Sequence, residues 1–537
     1  MNRTSDKRLS HTLLHYGLPF LTVMILLLNT AAFYRNGTAF ADSDTAAELM
    51  LAKVLNQEHR LLCSPNWIYS TELRVLNTQI FYRIGFLFTD NWHLARTISL
   101  LLMWIVLLGC LKYFLKASGI LKSPVLTVIA FILPFSSEYT QFVLYGGYYI
   151  PHIALMMVML GEYYRCVKSQ CRKWILPLGI LTAFGAGLGG VRQVLIGYFP
   201  LFITNAVLFY LENRNADTAG RMRTSKSFRG LKVSFLFFLA CLAGWAVNLK
   251  VLSRFFTYIN TYTGMPLLKM DPVMIFQFLG NSFVEVFGYS GTANAISVKG
   301  IGALAALVFI ALFLFFLAQC ITKRSAMSEN QLHFTLFVSA GILFNAVFCI
   351  LSDFHSTRYM IPSLLPAVVL LDLGISLSHT EQSLFKKAIL GFCSVSLLYQ
   401  SFCTVYLDAA LKNNANQDLI QTADWLLENG YTNGYSPMAD VFWELTDARV
   451  DCWNIPGDRW WTLEHQNWLE TKEHAARRPE GTVFLTVRKD QLALIDPSSP
   501  LVAKAMDTYK TAKYTTFIYP DTRTLEQLAE QTIPAEQ

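Results

Sequence analysis

The residues of this chain with the plainest chemical potential are Asp42, Asp44 and Glu48, in the stretch Asp42-Ser-Asp44-Thr-Ala-Ala-Glu48 that follows the first apolar run. Asp44 and Glu48 stand four apart, so on a helix they share one face and repel each other. Anions placed this way meet solvent, or they meet a cation, a metal or a substrate. Such a carboxylate could take a proton as a general base, alone or beside a divalent metal held by Asp44 and Glu48. The competing reading is a helix start: Asp42, Ser43 or Asp44 suits an N-cap, and first-turn acids favour the positive end of the helix dipole.

Further charged and aromatic residues gather at the same level of the chain's apolar pattern. Arg192 follows Gly185-Ala-Gly187-Leu-Gly189-Gly190, where glycines permit a tight or re-entrant turn. An Arg there needs an anionic partner, or else snorkels to headgroups. Asp353-Phe-His355-Ser-Thr-Arg358-Tyr359-Met-Ile-Pro362 opens a late apolar run. Arg358, His355 and Tyr359 can all donate to a phosphate, Arg as a fork of donors; as a plain alternative they form an interfacial anchor. Glu138, Tyr139, Tyr145, Tyr148, Tyr149 and His152 make another outer group, and Cys-Ser-Pro65-Asn-Trp67-Ile-Tyr69 reads as a turn with two headgroup-level aromatics. The expected substrate cavity therefore draws on Glu138, Tyr145, Tyr149, His152, Trp67 and Tyr69.

A frame must hold these groups, and composition says what kind. The 537 residues are 53% hydrophobic and only 15% charged, against about 25% charged in soluble domains, and mean hydropathy is +0.36. The chain is thus expected to be an α-helical polytopic membrane protein. Net charge is +7, but the basic residues sit in short loops between apolar runs, which marks orientation and not a nucleic-acid groove. Apolar runs at about Leu13–Phe33, His93–Phe114, Ser123–Tyr139, Tyr148–Tyr164, Trp174–Leu188, Val191–Leu211, Leu231–Val251, Gly300–Cys320, His333–Leu351, Tyr359–Leu377 and Ala388–Leu407 give about eleven spans. Alternate loops carry Lys112, Lys116 and Lys122; Arg165, Lys168, Arg172 and Lys173; Arg214, Arg221, Arg223, Lys226, Arg229 and Lys232; Lys323 and Arg324; Lys386 and Lys387. Every one is basic, so the N-terminus is expected in the cytoplasm and the C-terminus outside.

The expected first outer loop, residues 34–91, holds two interfacial helices, Thr45–Gln57 and Glu72–Phe88. From about residue 410 the composition becomes that of a soluble domain, so residues 1–409 are expected as the membrane domain and 410–537 as a small extracytoplasmic α/β domain. In the latter, Asp418–Asn429, Thr462–Lys472, Leu501–Tyr509 and Leu525–Gln531 read as helices, and Arg449–Ile455, Thr482–Arg488 and Tyr514–Tyr519 as strands. Cys63 and Cys452 are the two cysteines in outer segments, which leaves a disulfide between them open. Asn36-Gly-Thr38 has the form of a glycosylation acceptor.

Acids, cations and aromatics at one level on one side of a membrane suit a polar substrate carried on a lipid phosphate. One displacement fits: an acceptor hydroxyl attacks a sugar C1 joined to that phosphate, one carboxylate takes the proton, and cations receive the phosphate charge.

A first span, an outer loop opening on an acidic motif and paired interfacial helices resemble the GT-C superfamily of polytopic glycosyltransferases, which includes the protein O-mannosyltransferases and the aminoarabinose transferases that modify lipid A. The His355-Ser-Thr-Arg358-Tyr359-Met-Ile-Pro362 stretch looks like the Arg-Tyr-x-x-Pro pattern of that superfamily, and Gly189-Gly190-Val-Arg192-Gln is similar to stretches in bacterial members. The resemblance covers about residues 10–409. It implies a GT-C-like fold and a polyprenyl-phosphate sugar as donor. It also implies a glycan, lipid or protein as acceptor, a bacterial plasma membrane, and a catalytic or metal-associated carboxylate at Asp44 or, less directly, Asp42. A divalent metal is the one cofactor it leaves open. The C-terminal domain matches no catalytic motif of the superfamily, which implies an acceptor-binding or accessory role. Two other classes stay in play: a transporter or flippase of lipid-linked glycans, and a catalytically silent membrane scaffold.

Overall fold

The computed structural model describes residues 16–70, 73–168, 172–214, 226–259, 271–288, 294, 296–322, 324–351, 356–377, 383–405, 415–532 and 534. The basic flank before the first helix, Cys171, Arg221, Arg223, Lys323, Asp353 and His355 lie outside them. The chain is mainly helical. α1 is Leu18–Asn36, α2 Ser43–Gln57, α3 Gln79–Gly85 and α4 Trp92–Ser118. α5 is Val125–Ile132 and α6 Ser137–Leu144, a pair bent by 70° at a short break. α7 is Ile150–Val167, α8 Ile175–Gly187, α9 Val194–Asn213 and α10 Lys226–Lys250. After α11 (Pro272–Val286) come α12 (Val298–Thr322), α13 (Glu329–Leu351), α14 (Thr357–Leu377) and α15 (Ser383–Val405).

Among the described residues, seven helices are long and apolar enough to cross a membrane, or up to eight when the bent pair counts as one. The chain is therefore a multi-pass membrane protein, but helix length and composition do not establish the expected eleven crossings. α8 has 13 residues, where about 20 span a bilayer, and α7 carries His152, Glu162 and Arg165. Small residues set how closely the frame packs. A Cβ on Gly187 of α8 would stand 2.0 Å from the Cys241 carbonyl oxygen of α10, and one on Gly244 would stand 2.1 Å from that of Phe184. The two helices touch along their backbones and leave the chain to turn at Gly190, whose φ of 103° suits glycine.

The outer loop departs from expectation in its second half. α2 matches, whereas only Gln79–Gly85 of the expected Glu72–Phe88 helix is helical, and residues 71 and 72 lie outside the described ones. The expected aromatic turn contains a strand, β1 (Trp67–Tyr69). It pairs in parallel with β2 (Thr257–Tyr258) and antiparallel with a strand 400 residues further on. A strand with partners on both edges buries its aromatics, and Trp67 and Tyr69 are buried.

The C-terminal unit holds α16 (Ala415–Glu428), β3 (Asn433–Ser436), α17 (Ala439–Leu445), β4 (Asp451–Asn454), β5 (Glu470–Thr471, the distant partner of β1) and α18 (Lys472–Ala476). β6 (Val483–Arg488), β7 (Asp507–Lys510), β8 (Tyr514–Tyr519) and α19 (Thr522–Glu530) complete it. Its five-stranded sheet runs β4-β3-β6-β8-β7, parallel through β4, β3 and β6 and antiparallel beyond. Side chains alternate as a period of two requires. Val483, Leu485 and Val487 enter one core with Trp453 and Tyr519; Phe484 and Ile518 enter another with α16 and α17.

Two expected helices fail here. Thr462–Lys472 is mostly irregular, because Leu463 and Leu469 take left-handed backbone angles of 54° and 61° that no helix accommodates. Leu501–Tyr509 gives only a short turn and then β7, whose backbone is taken up by β8. Cys63 and Cys452 are free thiols.

The C-terminal unit is clasped to the helical frame. Arg96 of α4 and Glu444 of α17 form an ion pair at 2.6 Å, both side chains 0% exposed. The same guanidinium donates to the carbonyls of Phe40 and Tyr145 and lies over the Phe33 ring. The Trp92 amide donates to Asp447 at 2.7 Å.

Candidate active site

A cavity of about 640 Å³ opens between the start of α2, the bend of the α5–α6 pair, the start of α14 and the edge of the C-terminal sheet. One wall carries Asp42, Ser43, Asp44, Gln141, Phe142 and Arg358; the other carries Pro437, Met438, Asp440, Asn454, Gln466 and Trp468.

Helix capping divides the acids. Asp42 is the N-cap of α2, and its Oδ1 accepts from the Thr45 amide at 2.8 Å and the Thr45 hydroxyl at 2.9 Å. Its other oxygen accepts from Gln141 at 3.3 Å. Loss of water around it, with the Asp44 charge added, pushes the Asp42 carboxyl up from 3.8 to about 6. Asp44, in the first turn, has a different partner: its Oδ2 lies 3.5 Å from Arg358 Nη1, with the side chains 38% and 33% exposed. Glu48, one turn on, does not line this cavity. It is buried, accepts from Asn77 at 3.0 Å and faces Arg74 at 3.8 Å. Burial raises its carboxyl above the usual range. Each partner of the expected Asp44–Glu48 metal pair is thus turned to a guanidinium of its own.

The cations form a short stack with aromatics. The Arg358 guanidinium lies 5.5 Å from the centre of the Phe142 ring and 5.3 Å from Tyr359, and Arg192 lies 5.4 Å from Tyr359 and 5.1 Å from Tyr149. The Tyr359 ring thus contacts both guanidiniums, which aromatic faces favour. The turn at Gly190 delivers Arg192 to this position. Glu138 accepts from the Thr357 hydroxyl at 3.1 Å and so fastens the bent pair to the start of α14.

The remaining expected cavity residues sit elsewhere. Tyr145 is fully buried, packed edge-on to Phe33 and Phe40. His152 is buried one turn past Tyr149, its Nδ1 3.2 Å from Gln193 Nε2. Trp67 and Tyr69 line a separate small pocket beside Glu48 and Arg74. His355 lies outside the described residues.

The whole wall from the C-terminal unit was invisible in the sequence. Asp440, buried beside Glu470 and Asp44, has its carboxyl raised well above the usual range by lost hydration and these like charges. Gln141 and Phe142 were missed as well. The available signal was the break Leu133-Pro134-Phe135-Ser136, a cue for a bent pair with residues exposed past the bend.

Among the described residues, the group that could hold a metal ion is not Asp44 with Glu48 but His465, Glu470 and His474.

The multi-pass bundle with its broken helix pair, and the acid-bearing helix beside a small α/β unit, define a polytopic membrane protein. One solved structure it resembles is that of ArnT from Cupriavidus metallidurans in the apo state. The TM-score is 0.53, covering 95% of this chain and 98% of that one at 11% identity, so the likeness is one of fold. No protein-family model and no curated protein matches the sequence.

Proposed function

We propose that this protein is a membrane glycosyltransferase that moves a sugar from a polyprenyl-phosphate donor to an acceptor hydroxyl in the 640 Å³ cavity. The observation that carries the proposal is Asp44 and Arg358 side by side on one wall of that cavity, 3.5 Å apart and partly exposed. Asp44 is the general base: it takes the acceptor proton as the new oxygen–C1 bond forms and the C1–oxygen bond to phosphate breaks, inverting C1. The leaving phosphate departs with the electron pair. Arg358, with Arg192 across the Tyr359 ring, receives its charge. The Asp44–Arg358 contact is long for an ion pair and wet, so a donor phosphate can draw the guanidinium away and free the base. Asp42 serves as the cap that sets Asp44's direction, and the C-terminal wall, with Asp440 and Asn454, holds the acceptor. The fold likeness to ArnT agrees with this class of reaction.

In this reading residues 1–409 form the membrane domain and 410–537 the extracytoplasmic one, with the N-terminus cytoplasmic and the membrane the bacterial plasma membrane. The shared cavity is consistent with that placement, since the first loop and the C-terminal unit stand on one side.

Asp44→Asn should abolish glycosyl transfer in membranes supplied with a polyprenyl-phosphate sugar while the protein stays folded. Full transfer by that variant removes Asp44 from the mechanism. Movement of the lipid-linked sugar across liposomes without turnover would replace the transferase with a transporter.

A further inference from the structure

The segment between β4 and β6 holds a cluster that the transfer reaction does not use. Glu470 of β5 lies between two imidazoles: its Oε1 is 2.9 Å from His465 Nε2, and its Oε2 meets His474 Nδ1. The other edge of the His474 ring faces Asp451, Nε2 to Oδ1 at 3.0 Å. The arrangement is nearly dry, with side-chain exposures of 20% for His465, 3% for Glu470 and 9% for His474. His465 Nε2 and Glu470 Oε1 are both buried without a hydrogen-bond partner, despite their approach. Buried polar atoms of this kind are normally satisfied. Two such atoms 2.9 Å apart, neither satisfied by the other, can both turn to a ligand lying beside them. Charge points the same way. The carboxylates of Glu470, Asp451 and Asp440 stand around these rings, with Arg477 at 3.8 Å from Asp451. Trp453 stacks on His474 at 4.3 Å and Trp443 packs against its edge, closing the site on that side.

We propose that His465, Glu470 and His474 bind one divalent transition-metal ion, and that this ion pins the loop forming the C-terminal wall of the cavity. One ligand atom from each of the three residues lies within 4.8 Å of the others, a spread that a small inward rotation of the side chains closes onto an ion. Two imidazoles and one carboxylate are a donor set suited to Zn2+ and its neighbours, with a fourth position left for water. Asp451 then acts as the outer carboxylate that fixes the His474 ring, which places the ligand atom at Nδ1. The loop in question runs between the ligands: Gln466, Trp468 and Leu469 line the cavity, and Leu463 and Leu469 hold left-handed backbone angles. Such a loop has no regular hydrogen bonding of its own. A metal tying His465 to the strand that pairs with β1 supplies the missing constraint.

The test uses the full chain in detergent and needs no sugar donor, so its outcome is independent of the transferase reading. Chelator-treated protein is titrated with Zn2+ alone, and separately with Co2+ while the visible spectrum is recorded. The expected result is about one ion per chain and an intense low-coordinate Co2+ band. His465→Ala and Glu470→Gln should lose both, and Asp451→Asn should weaken uptake by about 10- to 100-fold. Cleavage by added protease between residues 463 and 469 should slow on Zn2+ addition in the wild type and not in His465→Ala. His465 is the most exposed ligand, so this variant is the one chosen to keep the fold. Zn2+ uptake by the wild type no tighter than by His465→Ala, or a Co2+ spectrum matching the hydrated ion, overturns the proposal and leaves the cluster as carboxylates bridged by a protonated imidazole.

Discussion

Two arginines of the helical frame meet acids near the cavity, and they do so in opposite ways. Arg96 and Glu444 touch at 2.6 Å with neither side chain exposed, while two carbonyls accept from the same guanidinium and the Phe33 ring packs against it. Arg358 and Asp44 stand 3.5 Å apart with a third of each side chain exposed. The first pair is dry and closed off: Arg96 Nε and Glu444 Oε2 lack a hydrogen-bond partner, but neither side chain can be reached from solvent. The second is loose and wet, so its guanidinium stays within reach of a ligand entering the cavity. Access to water, more than residue type, separates a clasp from a site.

The contrast can be broken at either pair. The largest expected effect is on chemistry: Asp44→Asn should lower transfer by about 10²- to 10⁴-fold, the range of a lost general base. Its unfolding free energy should move by no more than about 1 kcal/mol, as exposed pairs contribute little. Comparable losses of activity and of thermal stability in detergent would erase the distinction drawn here. Arg96→Met should do the reverse, destabilising by about 3–5 kcal/mol because Glu444 is left buried and unpaired. The double change Arg96→Met with Glu444→Leu should recover most of that loss in thermal melts.

The next effect is smaller. Arg358→Ala should weaken donor use by about 10- to 150-fold, the worth of one or two charge-assisted hydrogen bonds. If Arg358→Lys loses as much, the contact is a bidentate fork; if Lys retains most of the activity, charge alone suffices. Kinetics unchanged in both variants would return Arg358 to a membrane anchor.

Asp42 gives the smallest effect. Asp42→Ala should cost about 1 kcal/mol as a lost N-cap, and Asp42→Asn much less. Its carboxyl, raised from 3.8 to about 6, holds its proton more tightly in the native state than in the unfolded chain. Stability from this group therefore rises as pH falls from 6 toward 4 and declines as pH rises through that window. The slope should vanish in Asp42→Asn, as denaturant titrations at several pH values would record.

The membrane-spanning character of the frame was legible because apolar length is a local signal. So was the start of α2, where an acid cap announces itself within a few residues. The Asp44–Arg358 meeting could be guessed from their shared level outside the apolar runs, though 314 positions separate them. What could not be read depends on distant partners. β1 is a three-residue strand that exists because residues near 257 and 470 pair with it. The helix expected over Thr462–Lys472 has suitable spacing, but two left-handed leucines and the pairing of β5 with β1 override it. Tyr145 carries the composition of a girdle residue, yet tertiary packing places it in the core. Aromatics reveal that a position is apolar and leave open which apolar place it occupies.

The three-stranded patch has a consequence for synthesis. Ile68 waits for Thr257 on one edge and for Glu470 on the other. While the ribosome is still adding the helices, the acid-bearing helix emerges with an unfinished neighbour, and the pocket has only one side. The wall is completed only when the strand at 470 pairs with Ile68, so the finished enclosure arrives late. A nascent chain paused before that point would display Asp44 and Arg358 with nothing to hold an acceptor beside them.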